Sequence, residues 1–411
     1  MVAHVFVDRY DVKPRNSLFI EKKTMNIIEI DKQYILGTYA RFPVQLVEGK
    51  GSVLKDESGK EYIDLGTGIA VNAFGVGDVE WKKAVMAQLD KIQHTSNLYY
   101  NEPCALLAKE LCVRTGMKKV FFSNSGAEAN ECAIKAARHY GQTKKGKDCY
   151  TVITLKNSFH GRTITTLSAT GQDVFHEYFT PMTEGFVHAE ANNIDSVKTL
   201  LKTHNCCAVM IEIVQGEGGV TALDKEYVSA LAQLAKDEDI LLIVDEVQTG
   251  NGRTGSLYAY MDYGITPDVV TTAKGLGGGL PIGATLLGER AEGLFTPGMN
   301  GSTFGGNPVS CAGALNILQR IDEKLLAEVR EKSAYIFAEL TAAKGVKSVS
   351  GKGLMIGVEC EKDVGEVIAK CLEQGVLTLR AKHKLRLLPA LNIPMEQLKK
   401  AIKTVKEVIE E

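Results

Sequence analysis

The sequence predicts an α/β fold: a large domain with a mostly parallel sheet sandwiched by helices, plus a smaller α+β domain. Three observations carry this. Apolar runs of strand length alternate with helix-length amphipathic segments across residues 118–290, the pattern of parallel strands joined by helical crossovers. Two of those runs, at 240–244 and 269–273, are continuously apolar, as strands buried on both faces are. From Gly351 the pattern changes to short strands and helices without long crossovers.

Composition limits what the chain can be. Its 411 residues suffice for two or three domains with ample core. A net charge of −2 favours neither nucleic acid nor a membrane surface as partner. The nine cysteines include no Cys-x-x-Cys and read as reduced thiols of a cytoplasmic protein, not as a disulfide frame or metal site. No apolar run approaches the roughly 18 residues of a membrane-spanning helix. Residues 1–24 have no apolar core before a small-residue cleavage site and contain Asp8, Asp11 and Glu21. They read as a peripheral N-terminal extension.

In chain order, residues 25–75 read as a helix, a turn and short strands, expected to pack with the small domain. Helical periods follow at 81–92 and 103–115, separated by the aperiodic loop HTSNLYYNEP. A strand at 120–122 and a tight turn at 123–126 lead to a helix at 127–140. Its Ala129, Cys132, Ala133, Ala136, Ala137 and Tyr140 share one stripe. Such a strand–turn–helix junction aims free N–H groups and the positive helix end at one point, an anion site. A strand at 152–155 runs into a loop with Phe159, His160 and Arg162. A strand at 207–213 carries Glu212 and precedes VQGEGG with Glu217; a helix at 224–236 follows. GSTFGGNP at 301–308 precedes a helical stretch at 309–343. The small domain reads as a strand in GLMIGVE, a helix at 363–374, strands near 376–379 and 385–388, and a basic helix at 395–410. The implied boundaries are 1–24, 25–75, 76–320 for the large domain, and 321–411 for a linking helix and the small domain.

Asp245 and Lys274 stand just past two buried strands, where open α/β sheets place ligands. Either alone could be a solvated strand-end charge. Glycines at 250, 252, 275 and 277–279 let backbone approach a ligand closely. Together with the helix terminus, Phe159, Arg162 and Arg386, the two residues match one cofactor, pyridoxal 5′-phosphate. It has a phosphate for the helix, a flat ring for Phe159, a ring nitrogen for Asp245 and an aldehyde for the Lys274 amine. The dinucleotide fingerprint fails, since the third glycine position holds Leu280 or Ile282. No Gly-Lys-Ser/Thr occurs, and eight scattered histidines suggest no metal site.

The ordered motifs TYARFPV, GIAVN, HTSNLYYNEP, SNSGAEANE, SFHGRT, LSATGQ, VQGEGG, DEVQTGNGRTG, TTAKGLGGGLPIGA, GSTFGGNP and LPALNI resemble those of the class III (ω-type) pyridoxal-phosphate aminotransferases of fold-type I. The resemblance runs from about residue 34 to the end and is greatest to the bacterial acetylornithine group. It implies transamination of N-acetylornithine with 2-oxoglutarate, in arginine biosynthesis, by a homodimer with shared active sites. By position, Lys274 resembles the lysine that holds the cofactor aldehyde, and Asp245 the partner of the ring nitrogen. Gly126, Ala127, Phe159, Glu246, Val247, Gln248 and Thr303 complete the implied cofactor set, Thr303 reaching the neighbouring subunit's phosphate. Arg162, Ser302, Tyr39, Glu217 and Arg386 make the implied substrate set. Glu217 and Arg386 resemble a gate that stays paired with the amine donor bound and frees Arg386 for the oxo acid's carboxylate. A fixed structural ion pair is the plain alternative.

Several positions depart from the family pattern: Val76, Asp78, Val79, Ile213, the basic turn Arg380-Ala381-Lys382-His383-Lys384, and Leu387 and Leu388. They bear on the substrate rather than the cofactor, and the basic turn raises the expectation of a succinylated donor. The alternatives are therefore another ω-aminotransferase, acting on succinylornithine, succinyldiaminopimelate, ornithine or 4-aminobutyrate, or a non-catalytic binding protein on this fold.

Overall fold

Seven strands form the central sheet, in the order Lys119–Ser123, Gly283–Leu287, Val269–Thr272, Leu241–Asp245, Cys206–Ile211, Thr151–Leu155 and Phe186–Ala189. The structure, a computed structural model, describes residues 26–411; the extension assigned to residues 1–24 lies outside the described residues. From Val269–Thr272 to Phe186–Ala189 all neighbours are parallel. Gly283–Leu287 runs antiparallel to both of its neighbours. Its sequence has no marker of direction, since a short apolar strand reads alike either way.

The continuous apolar runs are explained by where their side chains go. Leu241 and Ile243 pack on one face of the sheet with Ala133, Ala136 and Ala137 of the helix Gly126–Lys145. Leu242 and Val244 enter the core on the opposite face. A strand buried on both sides has no polar alternation to show. The alanine stripe lets the long helix lie close across the sheet, with its N-terminus at the strand ends.

Two smaller sheets flank this block. Leu46–Lys50, Val53–Asp56 and Glu61–Asp64 form an antiparallel set, and Glu61–Asp64 pairs in parallel with Val376–Leu377. Val346–Lys352, Met355–Cys360, Lys384–Leu387 and Leu379–Ala381 form the other. The chain thus switches sheets at Thr378, where one strand was expected near 376–379. The helices Val364–Glu373 and Met395–Glu410 cover these sheets.

Other expectations need correction. The helical stretch at 309–343 is two helices, Pro308–Arg320 and Glu323–Thr341. Asp322 starts the second by accepting the Leu325 N–H at 2.8 Å, the cap that marks this break. Arg320 then turns back to grip Asp78 through both guanidinium nitrogens, at 2.6 and 2.9 Å. Asp78 also caps the helix Val79–Leu89 by accepting the Trp81 N–H, which gives one departure a structural use. The strand Val346–Lys352 was not expected because VKSVSGK contains no apolar run. The strand expected at 207–213 stops at Ile211. Val214–Gln215 belongs instead to a small hairpin with Thr221–Ala222.

Candidate functional site

A cavity of about 480 Å³ opens at the C-terminal ends of the parallel strands. Its walls come from the loops that follow these strands, which is where an open α/β sheet gathers side chains from distant parts of the chain.

One wall is the start of the helix Gly126–Lys145. Ser125 caps it, its hydroxyl accepting the Glu128 N–H at 3.2 Å. The Glu128 carboxylate returns to the turn, accepting the Ser125 hydroxyl at 2.8 Å and the Asn124 N–H at 3.1 Å. The amides of Gly126 and Ala127 precede the first intrahelical bond and stand at the cavity wall. A Cβ on Gly126 would lie 2.6 Å from a Val247 methyl, so Val247 packs where only glycine leaves room.

Asp245 forms the floor and is 4% exposed. Its Oδ2 accepts from Asn130 Nδ2 at 2.7 Å and lies 2.8 Å from His160 Nδ1; its Oδ1 accepts the Val247 N–H at 3.0 Å. Thr271 donates to Asn130 Oδ1 at 2.7 Å, and Asn130 Nδ2 also bonds the His160 carbonyl. The carboxylate is therefore held from three sides. His160 Nε2 is buried without a partner among the described residues, consistent with an N–H at Nδ1 facing Asp245.

Lys274 faces this floor. Its backbone has φ of +46°, a left-handed conformation that costs a non-glycine residue about 1–2 kcal/mol. Asn251 holds the approach to it, donating from Nδ2 to Thr272 Oγ1 at 3.0 Å and to the Ala273 carbonyl at 3.2 Å. Burial lowers the Lys274 pKa below the usual lysine value. The carboxylates of Glu217 and Asp245 work against that shift, and Arg386 works with it.

Phe159 and Arg162 stand on the loop after Thr151–Leu155. Arg162 lies over Phe175, its guanidinium carbon 4.4 Å from the ring centroid, and near Phe159 at 5.5 Å. Among the described residues no carboxylate pairs with it. Opposite, Arg386 rises from the strand Lys384–Leu387 and is 3% exposed. It donates to Glu217 Oε1 at 2.5 Å and, more loosely, to Gln248 Oε1 at 3.4 Å. Its Nε has no partner among the described residues.

Four sequence-selected residues fall elsewhere. Glu246 turns away from the cavity: it is fully buried, accepts from Thr249 Oγ1 at 2.5 Å and from the Tyr260 N–H at 2.8 Å, and braces the loop. Adjacent residues leaving a strand point to opposite sides, so Asp245 and Glu246 cannot share one task. Ser302 stands behind the cavity wall, its hydroxyl accepting from Asn124 Nδ2 at 3.2 Å. Thr303 and Tyr39 are exposed and do not line the cavity within one chain. The basic turn does not line it either. Arg380 pairs with Asp363, Lys382 donates to Asn157 and Lys384 donates to Ser350. Asn130, Asn251 and Glu212 were not selected from sequence. The one hint for Asn130 is its place one helical turn past the anion site, facing the sheet.

Residues 36–409 match the family model described as aminotransferase class-III. A curated acetylornithine aminotransferase of Haemophilus ducreyi is 50% identical over 387 residues, covering 94% of this chain and 98% of that one. The solved structure of an N-acetylornithine aminotransferase from Stenotrophomonas maltophilia superposes with a TM-score of 0.81 at 33% identity, covering 93% and 98%. An ornithine aminotransferase of Toxoplasma gondii superposes with a TM-score of 0.89 at 30% identity, covering 94% and 95%, and is described with partial occupancy of PLP at its active site.

Proposed function

We propose, on the premise that this chain belongs to the class III aminotransferase family, that it transfers the amino group of N-acetylornithine to 2-oxoglutarate, giving N-acetylglutamate semialdehyde and glutamate. The reaction belongs to arginine biosynthesis. The observation that carries the reading is the pairing of Arg386 with Glu217 beside the buried Lys274 and Asp245. A site with that pair can accept first a plain amine and then an oxo acid.

The family uses pyridoxal phosphate, and the residues present fit it. The amides of Gly126 and Ala127 would hold the phosphate, and Phe159 would cover a face of the ring. Asp245, already fixed by Asn130 and His160, would accept from the ring nitrogen. Val247 and Gln248 line the same cavity. When bound, the cofactor withdraws electrons from the carbon that bears the substrate amine. Lys274 Nζ takes the proton from that carbon and later returns one. Its lowered pKa leaves more neutral amine near pH 7 than an exposed lysine has.

Arg162 is the anchor for the donor's own carboxylate, a guanidinium stacked on aromatic rings with its hydrogen-bond edge uncommitted. With the donor bound, Glu217 keeps Arg386 neutralised. With 2-oxoglutarate bound, Arg386 turns to the second carboxylate, for which its unpartnered Nε is a spare donor. Exposed Tyr39, Leu98, Tyr99, Tyr100 and Phe304 support a homodimer in which Thr303, Ser302 and Tyr39 serve the neighbouring site. Among the described residues no helix is long and apolar enough to cross a membrane, and the reading places the protein in the cytoplasm.

The test is a donor panel with 2-oxoglutarate, reading glutamate formed and the visible absorbance of the bound cofactor. N-acetylornithine is expected to give the highest kcat/KM, ahead of N-succinylornithine, succinyldiaminopimelate, ornithine and 4-aminobutyrate. A yellow protein that turns over none of them would be a binding protein on this fold, and the reading would fail.

A further inference from the structure

Glu212 follows the strand Cys206–Ile211 and is almost wholly buried. Its two oxygens serve two different loops. Oε2 accepts the Phe159 N–H at 2.9 Å, and Oε1 accepts the Gly216 N–H at 3.2 Å. One loop leaves Thr151–Leu155 and the other leaves Cys206–Ile211, its parallel neighbour in the sheet. Neither amide has another acceptor among the described residues. In a site shielded from water each needs one, and a single carboxylate satisfies both with charge-assisted bonds.

The two loops carry different tasks. Phe159 lines the cofactor cavity, while Gly216 precedes Glu217, the partner of Arg386. Gly216 packs against the Gln248 side chain: a Cβ there would lie 2.5 Å from Gln248 Nε2. Taking the transaminase reading above as its basis, we propose that Glu212 is a positioning residue. Its carboxylate couples the loop bearing Phe159 to the loop bearing Glu217, so that cofactor contact and gate state are set together.

The titratable and charged groups around Glu212 are His160 and Asp245, Lys274 at the same cavity, and the Glu217–Arg386 pair beyond Gly216. Burial pushes the Glu212 carboxyl up to about 7. Asp245 adds to the shift, while His160 and the two amides oppose it. A proton on either oxygen sets an O–H against an N–H and releases one loop. Glutamine at this position does the same at every pH, since its oxygen keeps one amide and its –NH2 meets the other.

The experiment uses holoenzyme and the Glu212→Gln and Glu217→Gln variants, singly and combined. The two half-reactions are followed separately by cofactor absorbance across pH 5.5–8.5, roughly the window in which the carboxyl changes charge. Glu212→Gln is expected to lower kcat/KM for both N-acetylornithine and 2-oxoglutarate by about tenfold to a hundredfold, the loss of one such bond with an orphaned donor. The effect of Glu217→Gln is expected to shrink by more than about threefold in the Glu212→Gln background, because coupled sites do not multiply. The pH midpoint of the bound cofactor's absorbance is also expected to move. Effects that multiply, or a variant within about twofold of wild type, overturn the proposal. If thermal melts show Glu212→Gln unfolded, the wild-type profile decides. A fall in kcat/KM for 2-oxoglutarate as pH drops through about 7 supports the coupling, and a flat profile overturns it. A wild type that turns over no ω-amine fails the functional reading itself, a separate outcome.

Discussion

Replacing Glu217 by Gln should separate the two halves of the reaction. Arg386 is 3% exposed, so its charge has little water to fall back on. Its nearest acceptors are Glu217 Oε1 at 2.5 Å and Gln248 Oε1 at 3.4 Å. Breaking a fully buried ion pair costs about 3–5 kcal/mol. Here the Glu217 side chain is 28% exposed and the glutamine oxygen can still accept, which reduces the cost to about 1.5–3 kcal/mol. That penalty is greatest in the state in which an amine donor's apolar chain displaces the water around Arg386. With 2-oxoglutarate bound, the substrate carboxylate takes the place of Glu217. At about 1.4 kcal/mol per decade, kcat/KM for N-acetylornithine should fall roughly tenfold to a hundredfold. KM for 2-oxoglutarate should stay level or drop, since Arg386 no longer has to leave a carboxylate. Single-turnover measurements with each substrate give the two values independently. Equal losses in both halves would refute the gate and leave Glu217–Arg386 a fixed structural pair.

Other expectations follow from the same geometry. Lys274→Ala should lower turnover by roughly 10²–10⁴, the range of a lost general base, while the melting temperature stays near wild type. Gly126→Ala puts a methyl 2.6 Å from Val247 and should weaken pyridoxal phosphate binding about tenfold, measured by equilibrium dialysis, through an overpacking cost of about 1–3 kcal/mol. Burial raises the Glu246 carboxyl to about 7 against 4.5 for the free side chain. The folded state therefore binds the proton more tightly, and the Glu246 contribution to stability is full below about 4.5 and declines as pH rises through about 7. The difference is on the order of 3 kcal/mol. Glu246→Gln should flatten the melting temperature between pH 4.5 and 7, and an unchanged slope would count against the assignment.

The sequence alone determined the sheet-and-helix class, the strands buried on both faces and the strand-end and helix-end residues proposed to carry the chemistry. The reason is local. A continuous apolar run, a capped helix after a glycine turn and a charge at a strand end each leave their mark within a few consecutive residues. Only the tertiary structure decided which of these marks converge. Asp245 depends on Asn130 and His160, which are remote in the chain and which nothing in the sequence ties to it, because a hydrogen bond between distant side chains has no sequence period. Glu246 stands beside Asp245 in the implied cofactor set, but the backbone turns it into the protein. Lys382 and Lys384 looked like a charged mouth until their ammonium groups met Asn157 and Ser350. Glu212 shows the division most directly. Its place at a strand end is visible in the sequence, but its bonds to two separate loops exist only because two parallel strands end side by side.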